Sequence, residues 1–420
     1  MHPKALLDTA SELVLRVLRL QHPADAVVSR FFREQRQLGP RERATLAETA
    51  YAVLRRKPLY EHLARSGSGA RERRLAMLGF AAPRDFLKSA LSEPERRWLD
   101  ACDAVAPADL PEACRHNLPA WLVAPLRAQL GDEFEALAEA LLQPAPLDLR
   151  VNTLLRKRDA AAQELKAQGV AATPTPYSPW GLRVAGKPAL QKLEAFRQGV
   201  VEVQDEGSQL LALLLDARRG EMVADFCAGA GGKTLAIGAA MRSTGRLYAF
   251  DVSAHRLDAL GPRLKRSGLS NVHPVAIAHE RDERIKRLAG KMDRVLVDAP
   301  CSGLGTLRRN PDLKWRQTPA DVQELVARQR AILASSARLV KPGGRLVYAT
   351  CSLLTDENEV VAGAFGADHP DFRPLPVAEL LAGLKVADAA ALCTPDGACL
   401  RLWPHRHGTD GFFAAAWQRA

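Results

Sequence analysis

No uninterrupted apolar run in these 420 residues approaches the ~18 that a membrane-crossing helix needs. The longest candidate, Leu210–Leu215, is broken within two turns. Asp8 and Glu12 interrupt any apolar export core at the N-terminus. The seven cysteines (Cys102, Cys114, Cys227, Cys301, Cys351, Cys393 and Cys399) are odd in number and scattered. None belongs to a CxxC pair at zinc spacing, so neither a disulfide framework nor a structural metal site is expected. Internal repeats and low-complexity tails are missing too. These absences leave a cytoplasmic globular chain with reduced thiols, free to serve chemistry, as the expectation.

What is present fits that class: 47% of residues are hydrophobic and 25% charged. The length predicts about two to four domains. Lys and Arg number 59 against 48 Asp and Glu, a net charge of +11, which favours an anionic partner. The excess is uneven. Residues 1–75 hold 15 Lys/Arg and eight acids, a difference of +7.

The first ~140 residues read as helical. Leu46, Ala50, Val53 and Leu54 share one helical face, and Thr9–Arg19 and Phe31–Gln37 read alike. Gly39-Pro40 and Ser66–Gly69 punctuate the helices. With its charge, this head is a candidate RNA-docking module, although a solvated helix face of Glu/Arg pairs would look the same. From 141 to 200 the texture is that of a small α+β insert: a strand at Leu147–Asn152, a helix at Ala160–Gly169, and a turn-like Pro174–Leu182. From 201 to 420 short β-rich runs alternate with helical stretches. The runs are Met222–Phe226, Arg246–Val252, Val272–Ile277, Asp293–Asp298 and Arg345–Thr350, a pattern of βαβ units on a parallel sheet.

Three segments carry chemistry. The first is Asp225-Phe226-Cys227-Ala228-Gly229-Ala230-Gly231-Gly232-Lys233-Thr234, a strand running into a glycine-rich turn and a helix. Glycines let a ligand approach the backbone, and a helix N-terminus offers free N–H groups. Asp251, at the end of the next strand, suits a ribose hydroxyl pair. The spacing leaves a dinucleotide and S-adenosylmethionine both open. Cys227 stands where a P-loop would need its leading glycine, so phosphate cradling is not expected. The second segment is Asp298-Ala299-Pro300-Cys301-Ser302-Gly303. The third is Tyr348-Ala349-Thr350-Cys351-Ser352, with Lys341–Gly344 as the turn before its strand. Both place a thiol just past the carboxyl end of a strand, where open α/β sheets bind their ligands.

These last two segments resemble the signature motifs of the RNA cytosine-C5 methyltransferases, the Nol/Nop/Sun family. Cys227–Thr234 is similar to that family's S-adenosylmethionine loop. Gln204-Asp205, Arg150–Thr153, Arg309–Trp315 and Gly408–Phe413 also fit, so the likeness spans about residues 147–420. The helical head, with Tyr51–Arg56, is similar to the NusB-like domain of the Sun/RsmB branch. The resemblance implies an all-α NusB-like domain at 1–140, a small α+β subdomain at 141–200 and a Rossmann-like methyltransferase domain at 201–420. It implies a bacterial, monomeric enzyme that methylates a cytosine of small-subunit ribosomal RNA with S-adenosylmethionine.

On the same basis Cys351 is the nucleophile, Cys301 assists product release, and Asp298 hydrogen-bonds the cytosine edge. Cys227, Ala228, Gly229, Ala230, Gly231, Gly232, Lys233, Asp251 and Asp298 would hold the cofactor. Lys233 is a candidate for the positive group that activates the nucleophile. The target base must leave any helix to reach the thiol. Arg308-Arg309 and Lys314-Trp315 could hold phosphates and stack bases. Two departures stand out. Ala230 replaces the proline the family usually carries before Gly-Gly. Ala278–Asp282 lacks the usual acidic pair near the adenine, leaving Glu280 or Asp282 as substitutes. A transfer-RNA target, or a non-catalytic RNA-binding assembly factor, are the rival readings.

Overall fold

The computed structural model describes residues 1–420, which divide into two compact units. One comprises Met1–Pro144 with Thr306–Pro319, and the other Ala145–Gly305 with Ala320–Ala420.

The first unit is helical, as the apolar spacing predicts. Its opening helix, Pro3–Val17, starts with proline in the first turn, where the missing N–H costs nothing. It buries Leu6, Leu7, Ala10, Leu13, Val14 and Val17 along one stripe. The helix expected at Phe31–Gln37 begins earlier and spans Ala24–Glu34. The helix Pro40–Arg55 buries Leu46, Ala50, Val53 and Leu54 together. Farther on, Ser92 and Glu95 form a reciprocal cap at the start of the helix Glu93–Asp103. One apolar core joins these helices, and Trp315 packs against it.

The second unit holds two sheets. The smaller is antiparallel, in the order β2-β3-β1-β4, from β1 (Leu147–Val151), β2 (Ala172–Pro174), β3 (Gly181–Val184) and β4 (Val201–Val203). The Pro-rich stretch read as a turn supplies β2 and β3 at its two ends. The helix Arg158–Ala167 covers this sheet, and Leu149, Val151, Ala161, Leu165 and Leu182 form its core.

The larger sheet contains β5 (Met222–Phe226), β6 (Arg246–Asp251), β7 (Val272–Ala276), β8 (Met292–Asp298), β9 (Val340–Thr350), β10 (Phe372–Leu375), β11 (Leu400–Leu402) and β12 (Phe412–Arg419). Its order is β10-β12-β9-β8-β5-β6-β7, with β11 beside β12. The five strands foreseen from sequence are the mutually parallel ones, while β10, β11 and β12 add antiparallel pairs. Lys341–Gly344 is not a turn ahead of β9. It is an excursion inside it, because Met292 pairs with Val340 and Arg294 with Arg345.

Strand order reverses between β5 and β8: the chain runs outward through β6 and β7 on one side, and through β9 and β12 on the other. That switch point is where a doubly wound sheet opens a ligand crevice. The ends of β5, β6, β8 and β9 deliver Cys227, Asp251, Asp298 and Cys351 to its rim.

Candidate functional site

The two cysteine segments meet. Cys301 Sγ and Cys351 Sγ lie 3.4 Å apart, both half-buried, although 50 residues separate them in the chain. The pairing of β8 with β9 explains this: Asp298 sits opposite Ala349, so the loops leaving the two strands start side by side. The Ala299 amide donates to the Ala349 carbonyl at 2.9 Å, and the Gly305 amide to the Cys351 carbonyl at 2.8 Å, which lace the loops together. The Cys301 thiol is pushed up by its contact with Cys351 and by burial.

Lys233 reaches into the same place. Its Nζ donates to Asp298 Oδ2 at 2.6 Å. Burial disfavours its charge, but the Asp298 carboxylate outweighs burial and the pKa is raised, with charge on Cys351 and Asp225 acting in the same direction. Lys233 is therefore an ammonium held in place by Asp298.

The glycine-rich loop forms as expected. Cys227, Gly229 and Gly231 all have positive φ, at 67°, 59° and 81°. Cys227 is the costly one, since only glycine adopts that region freely. Burial pushes its thiol up, aided by the Asp298 and Asp251 carboxylates, so it is a poor nucleophile. A Cβ on Gly231 would lie 2.2 Å from the Leu260 side chain. Gly231 opens the helix Gly232–Ala240 with no side-chain cap on its first amides. Asp251 accepts the Gly229 amide at 2.8 Å and the Ser253 amide at 2.8 Å, fixing loop to strand. Beneath, the wholly buried Asp225 accepts from Thr234 Oγ1 at 2.6 Å and leaves its other oxygen unpaired. Burial lifts its pKa to about 7.

Around Ala230 the missing proline is answered by a long-range tie: Arg263 Nη1 donates to the Ala230 carbonyl at 2.6 Å. Arg150, almost fully buried, donates to Gln204 Oε1 at 2.5 Å and to the Gly232 carbonyl at 2.7 Å. On the next strand end, Asp282 is turned to its own backbone. It accepts the Ala278 and Arg284 amides, each at 2.9 Å, and caps a short helix, while Glu280 pairs with Arg281 at 3.6 Å.

In the basic stretch Arg308–Trp315, Arg308, Lys314 and Trp315 are packed rather than displayed as a phosphate and stacking surface, while Arg309 is partly exposed. The stretch belongs to the helical unit. Lys314 is 2% exposed and its Nζ donates to the Arg55 carbonyl at 3.0 Å. Trp315 Nε1 donates to the Leu54 carbonyl at 2.7 Å, and Arg308 is buried too. An indole with its N–H satisfied by a backbone carbonyl and its ring on apolar side chains is packing, not a platform for bases. Burial, with Arg55 and Arg56 nearby, lowers the Lys314 pKa to about 7.

One residue the motifs did not flag lies under both cysteine loops. Glu357 is fully buried and accepts from Ser302 and Ser352, the serines that follow the two thiols. The only sequence signal was an acid six residues past Cys351, which spacing alone does not distinguish from a surface carboxylate.

Comparison with known proteins agrees with this geometry. Residues 212–418 match the family model described as 16S rRNA methyltransferase RsmB/F, and residues 118–191 match the ferredoxin-like domain of the same family. A Synechocystis protein named "Probable ribosomal RNA small subunit methyltransferase B" is 37% identical, over 73% of this chain and 68% of its own. The ribosomal RNA small subunit methyltransferase B of Sodalis glossinidius is 33% identical, over 91% of this chain and 90% of its own. Among solved structures, PH0851 superimposes with a TM-score of 0.81 at 27% identity, covering 100% of this chain and 99% of that one. With signature motifs, crevice and end-to-end relatives in agreement, this chain belongs to the RsmB/F family of 16S rRNA methyltransferases.

Proposed function

We propose that the protein methylates carbon 5 of one cytosine in 16S rRNA through a covalent adduct with Cys351. The observation that carries this reading is the convergence of two thiols 3.4 Å apart with a Lys233–Asp298 pair of 2.6 Å at the sheet's switch point.

The residues suit S-adenosylmethionine. The turn at Cys227–Gly231 brings backbone close to the crevice, the uncapped start of the helix Gly232–Ala240 offers amides to a carboxylate, and Asp251 ends the neighbouring strand, where ribose hydroxyls bind. When bound, that cofactor supplies an electrophilic methyl group.

Carbon 5 of cytosine is a weak nucleophile, and the chain's own groups answer that weakness. The Cys351 thiolate adds to C6, forming a C–S bond and turning C5 into an enamine-like carbon that can take the methyl group. Asp298 hydrogen-bonds the cytosine edge and stabilises the protonated ring of the adduct, while the Lys233 ammonium holds Asp298 in place. A base then removes the proton from C5, the C–S bond breaks and Cys351 leaves. Cys301, kept as a thiol, assists this release. The helical head is read as the NusB-like RNA-docking module of the Sun branch, acting on a flipped or single-stranded cytosine.

Replacement of the two thiols tests the assignment. Cys351→Ala is expected to abolish methyl transfer to 16S rRNA fragments. Cys301→Ala is expected to accumulate an RNA–protein adduct, visible as a shifted band on a denaturing gel. Methylation by Cys351→Ala would refute the nucleophile, and an adduct-free Cys301→Ala protein would refute the release role. Bisulfite sequencing of RNA from a strain lacking the protein identifies the cytosine.

A further inference from the structure

The two serines after the reacting cysteines share one carboxylate. Glu357 Oε1 accepts the Ser302 amide at 2.8 Å and Gln329 Nε2 at 3.0 Å. Its Oε2 accepts the Ser302 hydroxyl at 2.5 Å and also the Ser352 hydroxyl. The two hydroxyls lie 3.2 Å from each other. Glu357, Gln329 and Ser352 are fully buried, and Ser302 is 1% exposed. Gln329 also donates to the Pro300 carbonyl at 2.9 Å, holding the Cys301 loop from its other side. The Tyr348 hydroxyl donates to the Glu357 carbonyl at 2.6 Å, which ties the backbone of this residue to β9. Asn358 continues the pattern, joining Thr350 Oγ1 at 2.5 Å to the Ser352 carbonyl at 3.1 Å.

Four donors converge on this side chain, and no Lys or Arg pairs with it. A buried carboxylate is expensive unless its acceptor sites are filled, and here four donors fill them. Hydrophobic residues would hold two loops together at lower cost, but without fixing their register. Here the register that is fixed is between Cys301 and Cys351.

We propose that Glu357 is the positioning residue of the two-thiol site, its single carboxylate bolting the Cys301 loop to the Cys351 loop and setting the separation of the sulfurs. The inference rests on the reading of these cysteines as the reacting pair. Glu357 touches neither RNA nor cofactor and acts only through Ser302 and Ser352. Its charge has a second effect on the same pair: with the Cys351 contact and burial, it helps to hold Cys301 as a thiol.

The test separates thiol geometry from turnover. Phenylarsine oxide condenses with two adjacent thiols, forming two As–S bonds and releasing water. The full-length wild-type protein is expected to capture it through Cys301 and Cys351, and a Cys301→Ala protein provides the background. Glu357→Ala is expected to slow capture at least tenfold and to lower kcat about 100-fold, with KM for RNA and affinity for S-adenosylmethionine little changed. Glu357→Gln keeps an acceptor oxygen and can donate to a serine hydroxyl, so it is expected to recover most of the loss.

A Glu357→Ala protein that binds S-adenosylmethionine normally, captures the arsenical like wild type and loses less than about tenfold in kcat overturns the proposal. If Glu357→Ala does not fold, the Ser302→Ala/Ser352→Ala double variant decides by the same thresholds. Wild-type protein that captures the arsenical yet transfers no methyl group to 16S rRNA fragments would sink the methylation reading and leave the bolt intact.

Discussion

Asp225 shows what a single buried group contributes and withholds. It lies at the end of β5, wholly buried, with one oxygen on Thr234 and the other unpaired. Burial raises its pKa from an ordinary 3.8 to about 7. The folded protein therefore holds this proton more tightly than the unfolded chain. The stability it contributes is complete below pH ~3.8 and is lost as pH rises towards ~7. Asp225→Asn, which keeps an acceptor for Thr234 but cannot ionise, should remove that loss. The urea midpoint of the variant relative to wild type is expected to increase between pH 4 and 8, and a constant difference would contradict the assignment. At this scale the proposed reactive residues were legible in the sequence, because Asp298, Cys301 and Cys351 sit in short motifs at or just past strand ends. Glu357 was not: its importance lies in touching Ser302, which is 55 residues away.

At the scale of elements, the strand–turn–helix from Met222 to Ala240 shows how local sequence dictates form. Gly231 has φ +81°, and a Cβ there would meet Leu260 at 2.2 Å. Gly231→Ala should therefore strain the backbone and push a packed leucine, destabilising the protein by about 1–3 kcal/mol. Because the same turn opens the cofactor helix, affinity for S-adenosylmethionine should fall as well. Calorimetry and urea unfolding read the two effects separately, and an unaltered affinity would remove the loop from the cofactor's surroundings. The parallel strands β5, β8 and β9 were legible because strands buried on both faces read as apolar runs, while β6 and the partly exposed edge strand β7 registered through their β-branched and aromatic residues. The short β2, β3, β4, β10 and β11 were not, since three or four residues carry too little alternation to register. Lys341–Gly344 reads as a turn in any sequence, and only its pairing across β8 shows it to be an excursion within one strand.

For the whole molecule the net charge of +11 is the physical quantity that matters most for an RNA partner. Each phosphate neutralised on binding releases counterions, so affinity must fall steeply with salt. For about six phosphate contacts, raising salt from ~50 to ~200 mM should weaken binding of a 16S rRNA fragment on the order of 10³-fold. A flat dependence in filter binding would show that the basic excess does not face RNA. Part of that excess is already committed. Lys314 and Arg308 are buried inside the helical unit rather than displayed, and Arg73 and Arg16 pair with Glu95 and Glu34.

The chain by itself determined the order of classes: helices first, a small mixed segment next, and an alternating α/β region carrying a glycine loop and two Cys-Ser junctions. Those features are local, since periodicity, glycine and the residues at strand ends act over a few positions. Tertiary structure decided which of them meet. It brought Cys301 to 3.4 Å from Cys351, set Lys233 on Asp298, turned Lys314 and Trp315 inward, and placed Glu357 under both thiol loops. The physical reason is that parallel pairing of β8 with β9, and the burial of polar side chains it enforces, is a property of registers between distant segments, which no local pattern contains.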